Sequence, residues 1–327
     1  MPKIIRFYEP GPAENQKVET FVAAPPAPDE VRIQVQAIGV NQSDLIYRRG
    51  HHPMQASLPS CNGAEAAGVI ESVGAQVEHF APGDPVVVVP HMDPPRGTYA
   101  EQINIVAARV MPASPFLSAQ ENAAFWASYL TAYGGLVETA KLQPGDFVVI
   151  PAASSSVGLA AIQIAQAIGA QPIALTRDTN KAERLRSMGV KHVLVSTRDD
   201  LASALRDCTG GLGARVIFDP VGGNGSQVLA SVMAMRGIYV LYGVMAADVT
   251  PFPIAEAFEN LLTMTVFRLD AINRPDELQR ARAFFDKGLA EHLLKPVIDT
   301  VFAFDDVVAA HRYIESNRHF GKVVLAL

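Results

Sequence analysis

FVVIPAASSSVGLAAIQIAQAIGA, residues 147–170, decides the fold. Phe147 to Ile150 is a short apolar strand that runs into a turn of very small residues. Beyond the turn, Val157, Ala160, Ala161, Ile164, Ala165 and Ile168 fall on one helix face. A strand, a tight turn and a helix N-terminus make a phosphate-binding unit, because first-turn amides and the positive end of the helix dipole attract a pyrophosphate. The dinucleotide fingerprint G-x-G-x-x-G stands here as Ala153-x-Ser155-x-x-Gly158, so only its last glycine is kept. Backbone amides carry such binding. Ser154, Ser155 and Ser156 add hydroxyls that can donate to phosphate oxygens or cap the helix. Alanine and serine suit the turn if φ stays negative, and Gly158 and Ala161 are small enough for close packing of helix on strand. The cofactor contacts expected here are Ala153, Ser154, Ser155, Ser156, Val157 and Gly158.

Downstream, strands and helices alternate, which predicts a parallel sheet with crossover helices. Strands are expected at 172–176, 191–196, 214–223, 237–243 and 264–269, with helices at 181–189 and 199–208. Six strands in this order suit a doubly wound Rossmann sheet. Upstream, the first 120 residues are strand-rich: 31–40 alternates apolar and polar, and 68–75 and 85–90 are short β runs. Pro82-Gly83-Asp84 and the segment HMDPPRG at 91–97 read as turns. The tail holds a helix over 304–316, opened by Asp305 and Asp306, and a strand over 321–327.

Composition narrows the function. The chain has 327 residues, 49% apolar and 18% charged, with a net charge of −6. That length suits two domains, and the charge provides no broad basic field for nucleic acid. No apolar run approaches the roughly 18 residues a membrane span needs, and MPKIIRFYEPG does not read as a secretory signal. Two distant cysteines, Cys61 and Cys208, cannot form a Cys₄ zinc site, and a cytoplasmic location is expected.

GVNQSDLIYRRG (39–50), LPSCNGAEAAGVIESVG (58–74), TAYGGL (131–136), PAASSSVGLAAIQIA (151–165) and FGKVVL (320–325) together resemble the zinc-free branch of the medium-chain dehydrogenase/reductase superfamily. That branch includes quinone oxidoreductases, and the resemblance also shows features of 2-enoyl thioester reductases. It implies an α/β protein in which a Rossmann doubly wound parallel sheet is inserted in a GroES-like β-rich catalytic domain. The expected boundaries are 1–120 for the GroES-like part, 121–265 for the Rossmann part and 266–327 for a segment returning to the catalytic domain. The resemblance sets the active site between the two domains and implies a homodimer joined through Met264 to Leu269.

Zinc-dependent relatives place metal ligands where this chain has Asn41, Ala64 and, by ungapped alignment, Ala127. Alanine offers no lone pair and one amide oxygen is a poor zinc ligand, so no metal is expected. Asp44 and Glu65 then read as structural, holding the loop by hydrogen bonds and ion pairing. Asn41 matches a residue near the nicotinamide end of the cofactor in zinc-free relatives, and an Asx turn is its alternative role.

NAD-specific Rossmann folds carry an acid at the end of the second strand, where this chain has Thr176 followed by Arg177. A guanidinium there, with Lys181 at the next helix, suits a 2′-phosphate and predicts NADPH. Asp178 is expected to cap that helix. At the nicotinamide end the resemblance implies Thr131, Gly243-Val244-Met245, Phe267-Arg268-Leu269 and Gly321-Lys322.

A quinone accepts hydride with its proton supplied by water, so a chain without a clear acid–base constellation suits reduction of quinones or related conjugated carbonyl compounds. In the 2-enoyl thioester reductase branch a tyrosine follows N-x-S-D. Its place falls on His52 here, with Tyr47 a helical turn closer. Asn41, Tyr47 and His52 are thus the catalytic candidates. His51 and His52 also read as solvated loop residues, and Arg48 and Arg49 as the hint of a basic entrance. A noncatalytic NADPH-binding protein, crystallin-like or redox-sensing, would carry the same cofactor motif.

Overall fold

The structure, a computed structural model, describes residues 1–90, 96–197, 200–272 and 274–327. Residues 91–95 of the turn read at 91–97, and Asp199 at the head of a predicted helix, lie outside the described residues. The chain forms two compact units, Met1–Ala127 with Pro296–Leu327, and Ser128–Lys295.

The second unit is built on a six-stranded sheet. In chain order its strands are Phe147–Ile150, Gln171–Thr176, His192–Val195, Ala214–Asp219, Met233–Leu241 and Thr263–Val266. Numbered so, they lie in the order 3-2-1-4-5-6 with every neighbouring pair parallel. This is the doubly wound Rossmann arrangement, whose order reverses between the first and fourth strands. Val149, Ile173, Leu175, Ile217 and Tyr239 build its core, as expected of strands covered on both faces.

The first unit centres on Glu30–Val40, antiparallel to Glu65–Val73, to Gln102–Val106 and to the C-terminal strand Lys322–Ala326. Ile33, Val35, Ile38, Ile70, Val86, Val323 and Leu325 meet in one core. The helix Val307–Glu315 adds Val307, Ala310 and Ile314 to it. Three further strands, Lys3–Phe7, Lys17–Thr20 and Ser60–Cys61, form a small separate sheet.

The chain re-enters the first unit at Pro296, not at 266. The cause is the helix Pro275–Ala290, which buries Ala281, Phe285 and Leu289 along one face. Phe285 meets Tyr129 and Tyr133 edge-on, all within the second unit. Among the described residues no helix is long and apolar enough to cross a membrane. Both cysteines are free thiols, and burial pushes that of Cys61 up to about 12.

Candidate functional site

The second unit carries the phosphate-binding turn. Ser155 is the N-cap of the helix Ser156–Ile168, and its Oγ accepts from the Gly158 amide at 3.0 Å. The Ser156 and Val157 amides, in the first turn, have no partner inside the helix. With a lone pair on Gly158, the Ser155 hydroxyl directs its proton elsewhere, and Tyr242 lies within its hydrogen-bonding reach. A Cβ on Gly158 would lie 2.7 Å from both Ala152 O and Ala153 Cα, so only glycine lets the helix approach the turn this closely. The expectation of negative φ fails at one residue, Ala152, which has φ +49°. The conformation that favours glycine thus falls just before the fingerprint's first position, not on Ala153.

At the end of the second strand Thr176 is buried and Arg177 exposed. Asp178 does cap the next helix: its Oδ1 accepts from the amides of Asn180 at 2.8 Å and Lys181 at 3.1 Å. The carboxylate is turned into its own helix, and Lys181 is half-buried in the first turn. After the fourth strand, buried Asp219 accepts from Tyr239 Oη at 2.6 Å and from the amides of Val221 and Gly222. Tyr242 stacks on Phe218 at 4.1 Å. Burial, then the Asp219 charge, raises the Tyr242 phenol above its ordinary range.

Of the remaining cofactor candidates in this unit, Gly243 faces the Pro220 backbone, where a Cβ would lie 2.7 Å from Pro220 O. Val244 and Met245 are exposed, and Thr131 is half-buried. Phe267 is buried against Gly134, which has no room for a Cβ beside that ring. Arg268 is exposed and bonded to Asp270, and Leu269 is half-buried.

The first unit holds a buried polar centre that sequence reasoning did not assemble. Lys322, 2% exposed, donates to Asn41 Oδ1 at 2.7 Å and to Glu65 Oε1. Asn41 Nδ2 donates to the same Glu65 oxygen at 3.0 Å, and Glu65 Oε2 accepts from the Ala127 amide at 2.8 Å. Asn41 N donates to Asp44 Oδ2 at 2.8 Å, closing the entry to the helix Gln42–Arg48. Asp44 and Glu65 therefore hold the loop, as read from sequence. Lys322, predicted as a cofactor contact, has its ammonium on Asn41 and Glu65. Two of the three positions that carry metal ligands in zinc enzymes, Asn41 and Ala127, bond to Glu65.

The other catalytic candidates stand apart from this centre. Tyr47 is buried, with its hydroxyl 2.7 Å from Ser60 Oγ and its ring against Phe7. Burial raises the pKa of this phenol above its ordinary value. His52 accepts the Met54 amide on Nδ1 at 3.1 Å and sets its ring edge-on to Tyr47. Arg48 forms no basic entrance. It is fully buried and bonds Glu315 at 2.5 Å, an acid that Arg49 also meets.

Residues 27–152 match the alcohol dehydrogenase GroES-like domain and residues 156–287 the zinc-binding dehydrogenase domain. The chain is 35% identical to quinone oxidoreductase 1 of Escherichia coli over 219 residues, 66% of this chain. That alignment spans 65% of the relative's length, under two thirds of it. A crystal structure of Escherichia coli quinone oxidoreductase complexed with NADPH matches 99% of this chain and 100% of that one, with TM-score 0.92 and 29% identity. The CurK enoyl reductase structure matches with TM-score 0.88 and 28% identity, over 99% of each chain. The chain belongs to the medium-chain dehydrogenase/reductase superfamily and is quinone oxidoreductase-like.

Proposed function

We propose that this protein is an NADPH-dependent, zinc-independent oxidoreductase that transfers hydride to quinones or related conjugated carbonyl compounds. The observation that carries the reading is the turn 151–158, with Ser155 capping the helix Ser156–Ile168 and the Ser156 and Val157 amides standing in its first turn. Gly158 lets the helix pack closely on that turn. These residues would hold the pyrophosphate. Exposed Arg177, with Asp178 turned away into its own helix, favours a 2′-phosphate over a bare ribose. When bound, the nicotinamide supplies the hydride, and the carbonyl oxygen takes its proton from water.

A catalytic zinc does not fit the residues present. Ala64 and Ala127 have no side-chain donor, and the Asn41 oxygen already accepts from the Lys322 ammonium. Asn41 is the candidate for the nicotinamide end, oriented by Lys322 and Glu65. A homodimer is supported by the edge strand Thr263–Val266, which pairs on one side only among the described residues, beside exposed Ile254, Phe258 and Val266. Two free thiols far apart in sequence suit a reducing cytoplasm.

Likeness to CurK enoyl reductase supports 2-enoyl thioester reduction as the second reading, with His52 as its candidate donor. The deciding experiment is a turnover screen with NADPH and NADH across quinones, enals and enoyl thioesters. Quinone or enal turnover with NADPH supports the first reading and exclusive thioester turnover the second. NADPH binding without turnover of any class leaves the noncatalytic role. Arg177→Ala should raise the KM for NADPH at least tenfold and leave that for NADH unchanged.

A further inference from the structure

Behind the helix Gln42–Arg48 lies a run of buried polar groups with no part in the proposed reaction. Arg48, His311, Tyr99 and Asp44 are all fully buried. Arg48 Nη1 lies 3.4 Å from His311 Nδ1, His311 Nε2 lies 3.1 Å from Tyr99 Oη, and Tyr99 Oη lies 3.2 Å from Asp44 Oδ2. The chain thus joins three segments distant in sequence and ends on the carboxylate that receives the Asn41 amide.

The chain has one direction. A guanidinium only donates, so the imidazole nitrogen facing Arg48 must accept, and the ring proton stands on Nε2. That proton goes to Tyr99 Oη, which leaves the phenolic proton for Asp44. A second ring proton is opposed by burial and by the Arg48 and Arg49 charges, which hold His311 down at about 3. We infer that His311 is a positioning residue: its Nε2–H tautomer, fixed by Arg48, turns the Tyr99 hydroxyl onto Asp44 and holds that carboxylate against the Asn41 amide.

The consequence reaches the polar centre. Burial favours a neutral Asp44, and nearby Glu65 pushes the same way, while the Asn41 amide, Lys322 and the Tyr99 hydroxyl favour the carboxylate. Of the two groups that donate to Asp44, the Asn41 amide and the Tyr99 hydroxyl, only the hydroxyl has its proton direction set from a distance. Arg48 and Arg49, both paired with Glu315, are the charges that act on His311, and Lys322 and Glu65 are those that act on Asp44, with the neutral Cys61 thiol nearby.

The test reads the whole protein by NMR and needs no turnover, so it stands apart from the reductase assignment. Imidazole ¹⁵N shifts at neutral pH should give His311 as the Nε2–H tautomer, and carboxyl ¹³C shifts should give the Asp44 titration midpoint. Glutamine can accept from Arg48 through Oε1 and donate to Tyr99 through Nε2, so His311→Gln should leave that midpoint in place. His311→Leu should raise it by about one pH unit, and Tyr99→Phe, which keeps the ring packing, should do the same. If the leucine variant does not fold, Tyr99→Phe alone decides. An Nδ1–H tautomer, or an Asp44 midpoint unmoved by Tyr99→Phe, overturns the inference.

Discussion

Lys322 Nζ sits 2.7 Å from Asn41 Oδ1 and also bonds Glu65, so one buried ammonium ties the C-terminal strand to the head of the helix Gln42–Arg48. Lys322 and Glu65 side chains are each 1% exposed, and neither can fall back on water. Removing one partner of such a pair leaves the other charge buried, which costs about 3–5 kcal/mol. Lys322→Met should therefore lower unfolding free energy by about that much. Adding Glu65→Gln should recover a large part of the loss, because the stranded charge is then gone. Urea denaturation of the single and double variants measures this coupling. Additive losses would show that the two charges do not stabilise one another.

Asp44 gives a pH dependence with a definite sign. Burial pushes its carboxyl from 3.8 up to about 7. Between these values the folded protein holds a proton that the unfolded chain releases, so this stabilising contribution is present below pH 4 and lost as pH rises towards 7. His311 acts in the opposite sense. Held down at about 3 against an ordinary 6.5, it contributes stability that is lost as pH falls through that window. Asp44→Asn should thus be less harmful at pH 8 than at pH 5, by on the order of 1–2 kcal/mol. His311→Gln should flatten the loss of stability on the acid side. Thermal unfolding at a series of pH values checks both slopes.

The phosphate-binding turn predicts a stabilising substitution. Ala152 adopts φ +49°, a left-handed conformation that costs a residue with a Cβ roughly 1–2 kcal/mol. Glycine removes that cost but gives the unfolded chain more freedom, by roughly 0.5–1 kcal/mol. Ala152→Gly should consequently raise stability by about 0.5–1 kcal/mol, read as a higher Tm. Ala153→Gly should lower it, since Ala153 is fully buried and its φ is not left-handed.

The Rossmann half was legible because each of its cues is local. The run 147–170 holds strand, turn and helix in sequence, and alternation of strands and helices then pointed to a doubly wound parallel sheet, whose strand order the structure gives. Asp178 as a cap was local too. The boundary at 296 was not, because Pro275–Ala290 is assigned to the second unit by Phe285 meeting Tyr129 and Tyr133, far away in sequence. The polar centre is wholly non-local: Asn41, Glu65 and Lys322 meet only after the C-terminal strand pairs with Glu30–Val40. One clue was available. His311 shares an apolar helix face with Val307, Ala310 and Ile314, where a histidine must be buried and in need of partners.

Tyr47 separates a structural hydroxyl from a catalytic one. Its Oη lies 2.7 Å from Ser60 Oγ within a fully buried contact, and its ring fills the space between Phe7 and His52. Tyr47→Phe keeps the ring and strands the Ser60 hydroxyl, which should cost about 1–3 kcal/mol of stability. Turnover with the best substrate of the screen should stay within about twofold of the native rate, a barrier change of less than 0.5 kcal/mol. His52→Gln in parallel shows what loss of the other candidate does under the same conditions. A hundredfold fall in kcat for Tyr47→Phe at unchanged KM would return the tyrosine to the reacting centre, because general-acid catalysis contributes about that much or more.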